Sequence, residues 1–379
     1  MLNKKKILFL TGTRADFGKL KSLMKKVEDA DNFEMYTFIT GMHMMSKYGM
    51  TSIEVEKSGF NHTFKYINQN VNDSMDTVLA KTVMGLGDYI KELKPDMIIV
   101  HGDRVEALAG AIVGSLNNIL VGHVEGGEVS GTIDELIRHS ISKMAHLHFV
   151  SNKVAKKRLL QLGELESSVF EIGSPDLDVM LSDDLPSHQD VLTKYEIPFS
   201  DYAVLMFHPV TTSLDSLEAE IKIVVDALIS SNLNFVVIYP NNDHGTDVIL
   251  NEYKRFEANE RIKVFPSIRF EYFLVLLKYA RFMIGNSSAG VREAPFYGIP
   301  SIDIGSRQNN RATASSVLKA DASLKNISEA INNALRVTFE PFREFGNGNS
   351  DQLFMDAINS NAVWGVSKQK IFKDIEASN

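Results

Sequence analysis

The chain has 379 residues, which is enough for two domains that each bury a core of their own. It contains no cysteine, and this excludes disulfide bonds, thiolate metal sites and a cysteine nucleophile. A formal net charge of −8 argues against non-specific binding to nucleic acid, because such binding depends on basic patches.

Apolar residues make up 44% of the chain and charged residues 23%, as in an ordinary soluble globular protein. No apolar run approaches the roughly 20 residues that a membrane span needs. The apolar stretch ILFL that follows the first lysines is too short for the core of a signal peptide. We therefore expect a cytoplasmic protein without a membrane partner.

The first half of the chain alternates apolar strand patterns with helical patterns. It predicts strands at 5–11, 34–39, 62–67, 97–100, 119–121, 146–150 and 168–172, with helices that include 17–27 and 76–93. Such alternation is typical of a parallel sheet covered by helices on both faces.

A second α/β series follows the stretch 173–201, which is rich in Pro, Ser, Asp and Gly and has no sustained strand pattern. Strands are predicted at 202–207, 234–240, 262–265, 281–285 and 300–305, and a helix at 214–229. The last 50 residues are predicted to form helices joined by a polar loop at 344–351. The expected fold class is α/β, with two doubly wound Rossmann-like domains, 1–173 and 174–359, on either side of a ligand cleft.

Three acids follow predicted strands or begin a predicted helix in the middle of the first half. Asp103 follows the apolar run 97–100, Glu125 follows the next strand, and Asp134 and Arg138 lie four residues apart at a helix start. Crowded carboxylates favour a neutral acid beside an ionised base, which suits proton transfer. Each acid alone would more often be structural: Glu125 could pair with Arg104 or Arg138, and Asp134 could be a charge that complements the helix dipole. Together, the three acids and two arginines indicate a functional site.

Two further stretches have the small residues and helix starts that favour an anion. TGTRADFGK (11–19) is a weak signal by itself, because Arg14 could merely form a surface pair. GNSSAGVRE (285–293) is stronger, since Ser287 and Ser288 exceed what ordinary capping by Asn286 requires. Glu293 is placed to accept ribose hydroxyls, and Arg307 to neutralise phosphate.

His208 follows the strand pattern 202–207 and is the best histidine candidate of the second half. It could donate a hydrogen bond to a phosphate or carry a proton. Several other histidines near strand ends, His43, His101, His123 and His139, are expected to be mostly structural. Neither an HExxH zinc motif nor a GxSxG nucleophile motif is present, so we expect no metal and no serine nucleophile.

Taken together, the motifs of residues 5 to about 311 resemble those of the hydrolysing UDP-N-acetylglucosamine 2-epimerases, nearest to bacterial enzymes that make N-acetylmannosamine for sialic acid capsules. They are TGTRADFGKLK, TGMHMM, HGDRVEALAGA, HVEGGEVSGTIDELIRHSISK, GSPDLDVM, FHPVTT, FPSIRFEYF, GNSSAGVREAPFYG and GSRQNNR. The resemblance implies a glycosyltransferase-B-like fold, with UDP bound by the second domain and a last helix of about 360–379 that crosses back to the first. It also implies anti elimination of UDP from UDP-GlcNAc, followed by hydration of 2-acetamidoglucal.

The resemblance also implies roles for individual residues. Asp103, Glu125 and Asp134 match the family's catalytic acids, and Arg138 and His208 its supporting residues. The positions expected to bind UDP are Arg14, Gly18, Arg104, Ser287, Ser288, Gly290, Glu293 and Arg307. Which acid removes the C2 proton stays open, no cofactor is expected, and the family suggests a homodimer or homotetramer.

Three alternatives stay open on the sequence. A branch that acts on UDP-N,N′-diacetylbacillosamine carries variants of the same motifs. A UDP-sugar glycosyltransferase shares the architecture, which alone does not determine function. A non-catalytic sensor of nucleotide sugars is the third. The HVEGGE and IDELIRH motifs favour the hydrolysing branch over relatives that release UDP-N-acetylmannosamine.

Overall fold

The computed structural model describes residues 4–130, 133–211, 213–309, 311, 314–371 and 373–374. The chain divides into two compact units. The first contains residues 1–128, 134–182 and 344–379, and the second contains residues 129–133 and 183–343. Within the described residues, none of the helices is both long and apolar enough to cross a membrane.

The first unit is built on a seven-stranded parallel sheet of order β3-β2-β1-β4-β5-β6-β7. Its strands are β1 (Lys5–Thr11), β2 (Phe33–Ile39), β3 (Thr63–Lys65), β4 (Met97–His101), β5 (Leu120–Val124), β6 (Leu147–Val150) and β7 (Val169–Glu171). The central strands are apolar almost throughout because helices cover both faces of the sheet.

The helices of this unit form between the strands and after the chain returns. They are α1 (Arg14–Glu28), α2 (Ser52–Lys57), α3 (Met75–Leu93), α4 (Val105–Leu116), α5 (Ile133–Met144), α6 (Lys153–Gln161), α7 (Pro175–Met180), α14 (Ser350–Asn359) and α15 (Asn361–Trp364). One core cluster joins β1, α1 and α14, with Phe9, Leu20 and Phe354 fully buried.

The second unit has a six-stranded parallel sheet of order β10-β9-β8-β11-β12-β13. Its strands are β8 (Ala203–Met206), β9 (Phe235–Ile238), β10 (Ile262–Phe265), β11 (Met283–Gly285), β12 (Ser301–Ile304) and β13 (Val317–Ala320). Its helices are α8 (His188–Lys194), α9 (Leu214–Ser231), α10 (Thr246–Tyr253), α11 (Phe270–Lys278), α12 (Glu293–Phe296) and α13 (Leu324–Ala334). A separate core cluster lies around Phe235, Phe282 and Ile327.

The predicted fold class, two doubly wound α/β domains, is confirmed by these two sheets. In each sheet the strand order reverses at one point, between β1 and β4 in the first unit and between β8 and β11 in the second. Ligands of open α/β sheets bind at the carboxyl ends of strands beside such a point. Predicted site residues of both units lie at such positions: Asp103 and Glu125 follow β4 and β5, and His208 and Ser287 follow β8 and β11.

The boundaries of the units differ from the expected 173 and 359. Residues 174–182 belong to the first unit, and the chain returns to that unit at Glu344. The reason is a set of contacts between the two connecting segments: Ser174 N–H donates to the Phe345 carbonyl at 2.8 Å, and the Asp178 carboxylate accepts from the first N–H groups of α14.

The expected last helix of about 360–379 is also wrong. Helix α14 begins at Ser350, the short α15 ends at Trp364, and residues 365–371 and 373–374 are not helical. Of the expected range, 372 and 375–379 lie outside the described residues. The Asp178 carboxylate at the start of α14 explains the earlier beginning, because a carboxylate stabilises the free N–H groups there.

Candidate active site

Asp103, Glu125 and Arg138 meet at the carboxyl edge of the first sheet. Arg138 is buried, and its Nη2 donates to Oδ2 of Asp103 while its Nη1 donates to the main-chain carbonyl of Glu125 at 2.6 Å. One guanidinium therefore ties the loop after β4 to the end of β5. The structure brings these three predicted residues together through direct contacts.

The side chain of Glu125 is held by groups from two other elements. Its Oε2 lies 3.0 Å from Nε2 of His101 at the end of β4, and its Oε1 accepts from the hydroxyl of Ser174. Glu125 has a φ of 61°, in the left-handed region that few residues other than glycine adopt. Its N–H donates to the Phe149 carbonyl at 2.9 Å, so the strained backbone is fixed as well.

The two glycines after Glu125 are required by close packing. Gly127 has a φ of 75°, and a Cβ at this position would lie 2.3 Å from the carbonyl oxygen of Ala155. A Cβ on Gly126 would lie 2.8 Å from Nδ1 of His123. The EGG sequence thus lets the chain turn tightly directly after the acid.

Asp134 lies in the first turn of α5, four residues before Arg138, and is partly buried. The predicted position at a helix start is therefore confirmed. An acid in a first turn also stabilises the helix through the helix dipole. The location of Asp134 is therefore compatible with a structural role as well as with a catalytic one.

The turn between β1 and α1 forms as an N-terminal cap. The Thr13 side chain accepts from Asp16 N–H, and the Asp16 carboxylate accepts from Thr13 N–H. Arg14, the first residue of α1, is paired with Glu54, with its Nε 2.8 Å from the carboxylate, and Gly18 is buried within the helix.

Arg104 occupies the N-cap position of α4 after β4. Its Nε lies 3.8 Å from Oε2 of the buried Glu106. The Glu106 side chain packs on Gly12 and Gly41, where a Cβ on Gly41 would come within 2.7 Å of Oε1. A buried carboxylate therefore lies at the reversal point of the first sheet, although no sequence motif indicated Glu106 as a site residue.

Two of the histidines expected to be structural are buried and hydrogen-bonded. Burial lowers the pKa of His43 to about 4 and that of His123 to about 3, so both are neutral at pH 7. Nε2 of His123 lies 2.8 Å from the carbonyl oxygen of Gly102, the residue before Asp103. His43 lies between the hydroxyls of Thr11 and Thr51.

In the second unit, His208 and Asn286 cross-link the ends of β8 and β11. The Asn286 side chain accepts from His208 N–H at 2.7 Å and donates to the His208 carbonyl at 2.8 Å. Nδ1 of His208 accepts from Asn241 N–H at 3.1 Å, so the proton of the neutral ring is on Nε2. His208 is thus a fixed donor at the reversal point of the second sheet.

The main-chain carbonyl of Asn286 accepts hydrogen bonds from two side chains of the loop after β12. Nη1 of Arg307 lies at 3.3 Å and Nε2 of Gln308 at 2.7 Å. Arg307 is buried, which is unusual for a cation unless it has a partner. Asn286, which the sequence offered only as one possible helix cap, connects His208 with Arg307.

The helix expected to follow Ser287 and Ser288 is much shorter than predicted. Ser288–Gly290 form a single 3₁₀ turn, capped by Ser287, and α12 has only four residues. Glu293 therefore begins a helix instead of lying one to two turns into one, and it is buried. Gly290 allows close approach to β12, since a Cβ there would lie 2.4 Å from Oγ of Ser301.

Comparison with known proteins gives the family. A model of the family described as UDP-N-acetylglucosamine 2-epimerase matches residues 25–359. A Neisseria meningitidis protein named UDP-N-acetylglucosamine 2-epimerase is 48% identical, over 98% of this chain and 99% of that relative.

Two other relatives carry different names. An Escherichia coli protein named polysialic acid biosynthesis protein P7 is 34% identical, over 98% of this chain and 97% of the relative. A Legionella pneumophila protein named UDP-N,N′-diacetylbacillosamine 2-epimerase (hydrolyzing) is 31% identical, over 86% of this chain and 89% of the relative.

The fold is also similar to that of a solved structure. The Methanocaldococcus jannaschii UDP-GlcNAc 2-epimerase, solved in complex with UDP-GlcNAc and UDP, has a TM-score of 0.80 at 21% identity, covering 93% of this chain and 99% of that one. At this identity the likeness concerns the fold. The family model and the 48% identical relative show that the chain belongs to the UDP-N-acetylglucosamine 2-epimerase family.

Proposed function

We propose that the chain is a hydrolysing UDP-N-acetylglucosamine 2-epimerase, which converts UDP-GlcNAc and water into N-acetylmannosamine and UDP. The observation that carries the proposal is the group formed by Asp103, Arg138 and Glu125 at the carboxyl edge of the first sheet. In this group two acids with different hydrogen-bond partners contact the same arginine. Such an arrangement suits proton transfer at a sugar carbon. Epimerisation at C2 needs both the removal and the return of a proton.

In the proposed reaction, a base removes the proton from C2 while the bond from C1 to the UDP oxygen breaks. The electrons of the C2–H bond form the C1–C2 double bond, and UDP leaves with the electrons of the C1–O bond. Water then adds its oxygen to C1 of the 2-acetamidoglucal, and a proton returns to C2 on the opposite face. The free sugar is N-acetylmannosamine.

The partners of the two acids suggest a division of roles. Asp103 is bound to the guanidinium of Arg138, and we assign it the role of orienting that arginine. Glu125 contacts a hydroxyl and an imidazole, groups that donate to a carboxylate or accept from a carboxyl. We therefore assign proton transfer at the sugar to Glu125, with Asp134 as the second candidate.

The second unit is proposed to hold UDP. The His208 ring has its proton on Nε2, and Arg307 supplies positive charge on the same group of contacts. Both suit a diphosphate. Ser287, Ser288, Gly290 and Glu293 stay candidates for the nucleotide, and so do Arg14, Gly18 and Arg104 of the first unit.

The names of the relatives support the proposed sugar and pathway. The relative of 48% identity is named for UDP-GlcNAc, whereas the bacillosamine relative is 31% identical. The word hydrolyzing in the latter name and the HVEGGE motif both support release of the free sugar. The polysialic acid relative supports a product that supplies sialic acid for a capsule.

The deciding experiment is NMR identification of the products from UDP-GlcNAc in D₂O. We expect N-acetylmannosamine with deuterium at C2, together with free UDP and without any acceptor. Release of UDP-N-acetylmannosamine would contradict the hydrolysing assignment. A requirement for an acceptor would establish a transferase, preference for the 6-deoxy diamino sugar would establish the bacillosamine branch, and UDP binding without turnover would establish a sensor.

Substitution of the acids tests the site. Glu125→Gln and Asp134→Asn should each lower kcat by at least roughly 10²-fold, the lower range for a general acid or base. Asp103→Asn should lower kcat as well, because it removes the charged partner of Arg138. UDP affinity, measured by calorimetry, should persist. Full activity in one of these variants would remove that residue from the mechanism.

A further inference from the structure

The carboxylate of Glu125 is clamped on both oxygens by residues that are far apart in the chain. His101 comes from the end of β4, and Ser174 lies directly before α7, 49 residues after Glu125. Glu125 is 3% exposed and Ser174 is 1% exposed, so bulk water does not replace either contact easily. Ser174 belongs to the GSPDLDVM motif, which has no role in the reaction proposed above.

The backbone that carries Ser174 is itself fixed by the returning C-terminal segment. Ser174 N–H donates to the Phe345 carbonyl at 2.8 Å. Four residues later, the Asp178 carboxylate accepts from Ser350 N–H at 2.9 Å, from the Ser350 hydroxyl at 2.6 Å and from Asp351 N–H at 2.9 Å. The hydroxyl of Ser174 is therefore held in place before any substrate binds, as preorganisation requires.

We propose that Ser174 is a positioning residue for Glu125 in the reaction proposed above, on which this inference rests. Its hydroxyl donates to Oε1 when Glu125 is ionised and can rotate to accept when Glu125 is protonated. The hydroxyl so keeps the carboxylate in one orientation through both states. Without it, a side chain on a strained backbone has one tether fewer and samples orientations that do not reach the sugar.

The other charged groups around Glu125 determine what a pH profile would report. His101 faces Oε2 from β4, and Arg138 of α5 binds the Glu125 carbonyl and the Asp103 carboxylate. None of these groups is removed by a substitution at Ser174. A hydroxyl that donates to a carboxylate favours the ionised form, so its loss should move the acid limb of the profile to higher pH.

The test compares Ser174→Ala with Ser115→Ala. Both variants remove a hydroxyl that links two elements of the first unit, but the partly buried Ser115 donates to the Met144 carbonyl at 2.8 Å, at the C-terminal ends of α4 and α5 and away from Glu125. We expect Ser174→Ala to lower kcat about tenfold to a hundredfold, the effect of one hydrogen bond to a charged group, with KM changed less than about twofold. The acid limb of the kcat profile should move to higher pH, and Ser174→Thr should restore most of the rate.

Ser115→Ala should keep the wild-type kcat and pH profile. Wild-type kcat and profile in Ser174→Ala would overturn the proposal. Equal losses in both alanine variants, with lowered thermal midpoints, would assign Ser174 a structural role only and overturn it too.

A readout that needs no turnover separates this inference from the proposed function. The carboxyl signal of Glu125 in ¹³C NMR, assigned by its loss in Glu125→Gln, should titrate at higher pH in Ser174→Ala than in wild type. That shift in a protein without epimerase activity would refute the proposed reaction and still support the contact. An unchanged titration in an active enzyme would refute the role of Ser174 alone.

Discussion

A buried ionic cluster attaches the end of the chain to the first unit, and Glu164→Gln should release it. The Glu164 carboxylate contacts Nε2 of His148 at 3.0 Å, Nζ of Lys143 at 2.9 Å and Nζ of Lys370 at 2.6 Å. Burial alone raises the pKa of Glu164, but the hydrogen bonds from these three partners outweigh burial and lower the pKa from 4.5 to about 2. At about 1.4 kcal/mol for each pKa unit, this corresponds to about 3 kcal/mol of stability at pH 7.

The sign follows from the two states. Because the folded pKa is lower than the unfolded value, the stabilisation is fully present above pH 4.5 and is lost as the pH falls towards 2. Glu164→Gln should therefore lower the free energy of unfolding by about 3 kcal/mol at pH 7 and by much less near pH 2. Removal of one partner of a buried pair has a cost in this range.

The assay is urea unfolding followed by tryptophan fluorescence. The chain has one tryptophan, Trp364, whose Nε1 donates to the Ile358 carbonyl at 2.7 Å and whose ring packs on Phe33. Its signal therefore reports the first unit and the returning segment. Glu166→Gln is the matched control, since the Glu166 side chain is 69% exposed in its pair with Lys156 and should leave the midpoint unchanged. Equal midpoints for Glu164→Gln and wild type would refute the reasoning.

Two glycines of α3 should respond oppositely to alanine. A Cβ on Gly85 would lie 2.2 Å from the ring of Tyr66, whereas a Cβ on Gly87 meets nothing within 4 Å. In thermal or urea unfolding, Gly87→Ala should stabilise by about 0.5–1 kcal/mol and Gly85→Ala should destabilise by about 1–3 kcal/mol; effects of the same sign would contradict the packing of α3. Stability should also fall as the pH drops below 6.5 towards 3, because burial lowers the pKa values of His43 and His123 to about 4 and about 3 and the unfolded chain binds these protons first. Urea midpoints measured across this range should show the fall, and it should be smaller in His43→Gln; a midpoint independent of pH would count against neutral buried histidines.

Strands with both faces covered were predictable from their apolar runs, and most lie within two residues of the expected bounds. The strand β13 was not predicted, and three of its four residues are at least partly exposed. The helix after Ser288 was overestimated for a different reason. Packing of Gly290 on β12 and the backbone turn at Arg292 divide the segment into two single turns.

The acids of the site were predictable because strand order alone brings the ends of β4 and β5 together. Their partners were not. Ser174 reaches Glu125 from 49 residues away, and Asn286 reaches His208 from 78 residues away. Such contacts depend on how loops fold back after the strands end, and no local periodicity encodes that path.

Arg138 shows why chemistry at this edge depends on more than the acids. Its planar guanidinium donates to the Asp103 carboxylate through Nη2 and to the Glu125 carbonyl through Nη1. A lysine has one compact ammonium group and cannot span both acceptors in this fork geometry. The bond to the carbonyl fixes a residue whose φ of 61° is costly, so the backbone of Glu125 depends on the same cation that neutralises Asp103. Loss of Asp103 would therefore act on Glu125 through Arg138, and effects of the two acid substitutions on kcat should not add as independent terms.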